Sequence, residues 1–177
     1  MKKGLLSLLL LLNFISNAQK TDYLIAFRDT TKAGEPFGYK NKKGKVVFPA
    51  KYIAVYTQKF YTSAMVLDEG EWIAIDRKGK VILKPFIFDN GPDYIKEGLF
   101  RFVENGKMGF ADIHCKKIIP ATFDFVEPFN EGLAQYTMGG KKVYENAGEY
   151  WIWKGGYETG YINKIGKKVK SKRTKKQ

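Results

Sequence analysis

The sequence is poor in the residues that enzymes most often use as nucleophiles. Of its 177 residues, one is a cysteine and one is a histidine, and these are the neighbours His114 and Cys115. A single cysteine excludes an internal disulfide, so packing alone has to hold the fold together, even in an oxidising compartment. Serine is also scarce, since only Ser63 and Ser171 occur beyond residue 18. This inventory nearly excludes nucleophilic catalysis through serine and histidine.

Patterns for metals and cofactors are also missing. One histidine and one cysteine form a poor ligand set for a closed tetrahedral zinc site. The sequence contains no EF-hand loop, no phosphate-binding glycine loop and no dinucleotide fingerprint. We therefore expect no catalytic residue, no metal site and no cofactor. Paired carboxylates for glycoside hydrolysis stay open, because 18 acidic residues allow many pairs whose separation a sequence does not show.

Only the first residues contain a long apolar run. Two lysines precede the apolar stretch 5–15, and small residues lead to Ala18, as in the cleavage region that a signal peptidase reads. A transmembrane helix would need about 20 apolar residues, and Asn13 begins to interrupt this run too early. We interpret residues 1–18 as a signal peptide. The protein should then be exported, to the periplasm or the extracellular space, with no transmembrane segment after cleavage.

Positive charge is in excess, but it is concentrated near the two ends. The formal net charge is +13, of which 2 charges lie in residues 1–18 and 7 in residues 166–177, which leaves +4 for the remainder. The remainder is only mildly basic, so we expect no nucleic-acid partner. Residues 166–177, the basic tail, contain one apolar residue, Val169, and we expect them to be disordered. The tail either holds the protein near an anionic lipid or polysaccharide surface or is a solubilising end without a partner.

A pattern recurs four times between these ends, with copies that start near residues 37, 72, 108 and 159. A short alternating run leads to Asn or Asp, a turn that contains Lys and Gly reverses the chain, and a β-branched run ends at proline, except in the fourth copy. A third strand precedes each copy. The pattern predicts an all-β array of antiparallel three-stranded β-repeat units over residues 19–165. The aromatic residue three positions after each proline should pack between neighbouring copies, which concerns Tyr52, Phe88 and Phe123.

Turn residues complete the prediction. Asn105–Gly106 is the strongest short hairpin signal in the chain. Glu97–Gly98 and Glu131–Gly132 should turn into the strands that follow them, with their carboxylates capping backbone groups. Cys115 occupies the place of the turn glycines Gly44 and Gly166, which favours its exposure in a hairpin loop.

The chain resembles the WG repeat proteins, whose copies carry an aromatic-Gly-Tyr-Ile-Asp segment, a Lys-Gly turn, a Val-Ile-Pro segment, an aromatic-Asp pair and a Phe-x-Glu-Gly-Leu-Ala ending. Residues 123–134 match this pattern most fully, and the resemblance covers roughly residues 37–169. The resemblance implies an extended all-β array and no established chemistry. No Trp-Gly dipeptide occurs, and the corresponding pairs are Phe37–Gly38, Trp72–Ile73, Met108–Gly109 and Thr159–Gly160.

An aromatic insertion, residues 139–158, interrupts the spacing before the fourth copy. In a strand, Trp151 and Trp153 would share one face because they alternate with Ile152. The insertion is either a binding platform, since flat amphipathic rings stack on sugars or anchor proteins, or a hairpin that caps the end of the array. The candidate binding residues are Tyr144, Tyr150, Trp151, Trp153 and Tyr157.

These observations favour an exported, non-enzymatic repeat protein that acts as an interaction scaffold in the cell envelope. Its expected partner is an envelope protein or a glycan. The alternative is an envelope hydrolase that acts on glycans through a carboxylate pair. A groove that holds two facing carboxylates would favour the hydrolase, and a continuous sheet surface would favour the scaffold.

Overall fold

The computed structural model describes residues 22–170, and these residues form an all-β fold with antiparallel strand pairing, as predicted. The residues divide into two bodies. The first body comprises residues 22–71 and 75–80, and the second body comprises residues 72–74 and 81–170. The expected signal peptide lies outside the described residues. Within residues 22–170, no helix has the length and apolar character needed to span a bilayer.

The first body contains an antiparallel sheet in the order β3-β2-β1-β5, and β4 pairs with β6. Its core is aromatic, since the buried ring of Tyr39 contacts those of Tyr52 and Phe60. Strand β7 (Glu71–Asp76) contributes residues to both bodies. The other strands of the first body are β1 (Leu24–Arg28), β2 (Phe37–Lys40), β3 (Val46–Tyr52), β4 (Ala54–Val55), β5 (Lys59–Phe60) and β6 (Ser63–Asp68).

The second body contains two larger antiparallel arrangements, β13-β12-β11-β8 and β14-β15-β18-β19, and two ribbons, β9-β10 and β16-β17. One hydrophobic cluster, with the buried rings of Phe110, Phe123 and Phe129, joins the larger arrangements. The strands are β8 (Val81–Pro85), β9 (Ile87–Phe88), β10 (Gly91–Pro92), β11 (Leu99–Glu104), β12 (Lys107–Asp112), β13 (Lys117–Phe123), β14 (Phe125–Val126), β15 (Leu133–Met138), β16 (Lys141–Glu145), β17 (Tyr150–Lys154), β18 (Glu158–Asn163) and β19 (Lys168–Val169).

The turn of each copy is built in the same way. In the third copy, the Asp112 carboxylate accepts hydrogen bonds from the backbone N–H groups of His114 and Lys116, both at 2.9 Å. The residue at the turn glycine position has positive φ and donates its N–H to the carbonyl of the Asp or Asn. Such side-chain bonds stabilise a tight reversal. Equivalent turns are made by Asn41 with Gly44, Asp76 with Gly79, Asp112 with Cys115 and Asn163 with Gly166.

Cys115 occupies the predicted turn position, with φ of 59°. The predicted exposure of its side chain is wrong, because Cys115 is buried. The hairpin prediction at Asn105–Gly106 is confirmed, since both residues have positive φ and connect β11 to β12. Positive φ at both positions matches the twist that two-residue hairpin turns require.

In the first and third copies, a glycine at the second position of the copy allows a bulged strand to pass close by. Met108 and Phe110 of β12 lie opposite Phe123 and Ile119 of β13. Three residues of β13, 120–122, therefore bulge opposite the single residue Gly109. Pro120 lies inside this bulge, where its missing N–H costs no ladder bond. A Cβ added to Gly109 would lie 2.4 Å from the Ile119 carbonyl oxygen. The first copy repeats this geometry, with Gly38 opposite the bulge around Pro49.

The aromatic residue after the proline is buried in two copies, but its register partner belongs to the same copy and not, as predicted, to the neighbouring one, although Phe123 also contacts the Tyr136 ring of β15. Tyr52 and Phe123 are buried and lie opposite Phe37 and Met108, the equivalent first residues of their copies. The prediction is wrong for Phe88, whose exposed fraction is 47%. The second copy has one residue more between its turn and its proline, and a shift of one residue moves every side chain to the opposite face of a strand.

The basic tail begins inside the fold. Lys168 and Val169 pair with Ile162 and Tyr161 as strand β19, so the first part of the segment expected to be disordered belongs to a sheet. Residues 171–177 lie outside the described residues.

Candidate binding groove

The second copy leaves the repeat pattern after its proline. Strand β8 ends at Pro85, opposite Phe102. Asp89 and Asn90 then adopt positive φ, and this turn folds β9 back on β10 as a short ribbon. The ribbon replaces the bulged continuation that β3 and β13 form in the first and third copies.

The aromatic insertion forms a second ribbon, in which β16 and β17 pair over five residues with a short turn at Asn146–Gly148. The rings of Trp151 and Trp153 both contact Phe125, so the two indoles share one face of β17. Trp153 stacks on Phe125 at 5.3 Å with an interplanar angle of 9°. Trp151 meets the edges of Phe125 and Phe86 at 5.9 Å and 6.0 Å.

Polar contacts fix the base of this ribbon. The Asp124 carboxylate accepts hydrogen bonds from the Lys107 ammonium at 2.6 Å and from the Gly139 N–H at 2.7 Å. The Lys107 ammonium, followed by the Gly139 N–H, lowers the pKa of Asp124 below its ordinary value. The indole N–H of Trp153 donates to the Gly139 carbonyl at 3.0 Å. These bonds hold the insertion where it leaves β15.

The two ribbons border a cavity of about 810 Å³ in the second body. This volume lies in the usual range of ligand pockets. We call this cavity the groove. Its walls come from the β9–β10 ribbon, from β14 and β15, and from β17. The residues that line it are Phe86, Ile87, Phe88, Asp89, Asp93, Tyr94, Lys96, Arg101, Phe125, Glu127, Pro128, Gln135, Thr137, Glu149, Tyr150, Trp151, Ile152 and Trp153.

A buried ion pair forms part of the groove wall. The Arg101 guanidinium binds both carboxylate oxygens of Asp93, at 2.7 and 2.9 Å, and donates to the Val126 carbonyl at 3.1 Å. Both side chains are at most 4% exposed. The guanidinium also lies over the Phe86 ring, 4.5 Å from its centroid. Bidentate geometry and full pairing are what a buried arginine requires, so this pair fixes the β10–β11 connection.

The rim of the groove is apolar and acidic. Phe88, Tyr94 and Tyr150 are each close to half exposed. Once Arg101 neutralises Asp93, three lining carboxylates face one lining ammonium, that of Lys96. The three carboxylates belong to Asp89, Glu127 and Glu149, all exposed. The groove thus combines aromatic surface with local negative charge in a chain of net charge +13.

Three of the five predicted binding residues line the groove, namely Tyr150, Trp151 and Trp153. Tyr144 and Tyr157 do not line it, and both are exposed, at 61% and 80%. The opposite wall was not predicted. The extra residue before Pro85 was the available signal for it, because a one-residue shift implies a changed strand face.

The comparisons with known proteins agree with the repeat pattern. The family model described as WG containing repeat matches residues 37–56, 74–107 and 108–141. Neither the comparison with curated proteins nor the comparison with solved structures gave a match. The chain therefore carries WG repeats over these residues, which confirms the predicted resemblance.

Proposed function

We propose that this chain is an exported, non-enzymatic interaction scaffold of the cell envelope, which binds a segment of a protein or glycan partner in the groove. The observation that carries the proposal is the groove itself. It joins half-exposed aromatic rings, a rigid buried ion pair and exposed carboxylates in one concave surface. Concave, mostly apolar sites with a few placed polar groups are typical of ligand binding.

We also propose that the repeating unit is three antiparallel strands. The sets β1-β2-β3, β11-β12-β13 and β15-β18-β19 support this, because in each the middle strand pairs with both others. The groove then arises where one copy departs from the unit and the insertion follows another. A repeat scaffold with one altered copy thus explains both the regular sheets and the groove.

Export rests on the sequence of residues 1–18. Cell fractionation tests it, because an exported protein should appear in the envelope or medium with its first 18 residues removed. An intact precursor in the cytosol would contradict this part of the proposal.

Binding at the groove is tested by filling it. Gln135 is exposed and lines the groove, so Gln135→Trp should occupy the space with little effect on stability. Thr122→Trp is the matched control, since Thr122 is exposed on β13 and does not line the groove. The unaltered chain and the control should capture the same envelope partner, and Gln135→Trp should weaken capture at least about tenfold, or about 1.4 kcal/mol. Equal capture by all three would contradict the proposal, and protease or glycosidase treatment of the captured material identifies its class.

A glycan hydrolase is the second candidate, because Glu127 and Glu149 line the same groove. Two carboxylates on either side of a glycosidic bond are the usual requirement for that reaction. The assay is release of reducing ends from envelope polysaccharide. Activity that Glu127→Gln or Glu149→Gln abolishes would replace the scaffold by the enzyme, and intact binding without any release would support the scaffold.

A further inference from the structure

We propose that the groove is an acceptor for a basic extended segment, and that residues 171–177 of this chain are its resident occupant. The inference concerns regulation of the proposed binding groove and rests on that function only in using the same surface. The charges of the two parts are complementary. Residues 171–177 carry four cations, Lys172, Arg173, Lys175 and Lys176, and no acid. The groove presents Asp89, Glu127 and Glu149 against Lys96.

The position of β19 brings this segment to the groove wall. Val169 pairs with Tyr161, and Tyr161 pairs with Gln135. Directly paired residues lie on the same face of a sheet, and Gln135 lines the groove. Neighbouring strands are about 4.8 Å apart, so Val169 lies roughly 10 Å from Gln135 on the groove side of this sheet.

The direction of the chain after β19 also fits. Strand β19 is antiparallel to β18, and β18 is antiparallel to β15, so β19 and β15 run the same way. A chain that continues beyond Val169 therefore passes from the level of Gln135 towards the level of Thr137, the other β15 residue in the groove wall. Seven residues span up to about 23 Å when extended, which exceeds the distance to the groove.

Strand β19, which leads into this segment, is held in place by polar contacts. The Lys168 ammonium binds the Glu158 carboxylate at 2.6 Å, and the Tyr136 hydroxyl donates to the same oxygen at 2.5 Å. These bonds hold Lys168, three residues before Ser171, against β18. A short connection gives an effective concentration in the millimolar range, so even a segment with a dissociation constant of about 100 μM would occupy its own groove most of the time.

The groove offers suitable contacts for such side chains. Lysine and arginine carry long apolar stems and cationic heads, and the cations are attracted by the faces of tryptophan and tyrosine rings. Phe88, Tyr94 and Tyr150 supply partly exposed rings beside the three carboxylates. In this arrangement an external partner with a basic segment has to displace residues 171–177 before it binds.

The experiment compares the full chain with a chain that ends at Lys170, each titrated with the synthetic peptide SKRTKKQ and followed by calorimetry and by the amide signals of Gln135 and Thr137. The peptide should bind the shortened chain and shift both signals. Its affinity for the full chain should be at least about tenfold weaker, because the resident segment competes. Binding should weaken by about tenfold between 50 mM and 500 mM salt, since exposed charges are screened.

Two controls locate the site. The triple variant Asp89→Asn, Glu127→Gln, Glu149→Gln in the shortened chain should lose binding, whereas Glu69→Gln, Glu104→Gln, Glu131→Gln makes the same charge change at exposed acids that do not line the groove and should retain it. A peptide in which glutamine replaces lysine and arginine should not bind.

No binding to the shortened chain, equal binding to both chains, or equal losses in the two triple variants would overturn the inference. Concentration-dependent dimers of the full chain that vanish in the shortened chain would also overturn it, because the segment would then occupy a second copy. The assay needs no envelope partner. Failure to capture a partner therefore counts against the proposed function alone.

Discussion

The segments that follow Pro85 and Pro120 take different paths. After Pro120 the chain bulges past Gly109 and buries Phe123 against the core. After Pro85 it turns at Asp89 and Asn90, leaves Phe88 exposed and lines a groove. A recess thus forms in the second body where the second copy does not continue as a bulged strand.

Two sequence differences account for this contrast. The second copy carries Ile73 where the third has Gly109, and a Cβ at the glycine position would collide with the bulged strand. The second copy also has nine positions from Asp76 to Pro85, against eight from Asp112 to Pro120. The shift places the following aromatic residue on the opposite face. Together, these two differences prevent the second copy from forming the bulged strand that β13 forms in the third copy.

The largest expected effect comes from breaking the ion pair beside the altered segment. Asp93→Ala would leave the Arg101 guanidinium buried without its carboxylate, and such a loss typically costs about 3–5 kcal/mol. Urea denaturation should show this decrease in the free energy of unfolding. Glu104→Ala, which removes an exposed pair with Lys117, should cost less than about 1 kcal/mol, and equal costs would contradict the role assigned to Asp93.

Gly109→Ala tests the close approach in the third copy. The added methyl group would lie 2.4 Å from the Ile119 carbonyl oxygen, so the strand has to shift at a cost of about 1–3 kcal/mol. Gly91→Ala, in the ribbon of the second copy, meets no atom within 4 Å and should change stability by less than about 0.5 kcal/mol. If Gly109→Ala leaves the free energy of unfolding unchanged, the glycine does not explain the bulge.

Trp153→Ala distinguishes the two interpretations of the aromatic insertion, which are a hairpin that caps the end of the array and a binding platform. Loss of the half-buried indole that stacks on Phe125 should cost about 1–2 kcal/mol, less than for a fully buried tryptophan. Tyr157→Ala is the exposed control, at 80% exposure. A lower melting temperature with unchanged partner binding supports the cap, and weaker binding at unchanged melting temperature supports the platform.

The smallest effect concerns Asp124, which holds the base of the insertion. Its pKa is lowered from the ordinary 3.8, chiefly by the Lys107 ammonium. Its contribution is therefore present above the ordinary pKa and is lost as pH falls through the lowered pKa in the folded state. Asp124→Asn should reduce stability by less than about 1 kcal/mol at pH 7 and flatten the fall in stability below about pH 4. An unchanged acid slope in urea titrations would argue against the contact.

The sequence predicted much of the fold and half of the groove. Turn residues such as Asp112 and Asn105 are local signals, because their hydrogen bonds join residues close in the chain. Trp151 and Trp153 were recognisable from composition and alternation. The wall around Phe86 was not predicted. When the copies are aligned at their prolines, the extra residue before Pro85 is not apparent. The pairing of Arg101 with Asp93 depends on tertiary packing, which a local pattern does not contain.

The indole N–H signals of the three tryptophans give the most direct test of binding in the groove. Trp151 and Trp153 line the groove and Trp72 does not, so the chain carries its own control. In a titration with the captured envelope partner, we expect the signals of Trp151 and Trp153 to shift together until saturation while that of Trp72 stays in place. A measurable affinity that shifts only Trp72, or shifts none of the three, would contradict it.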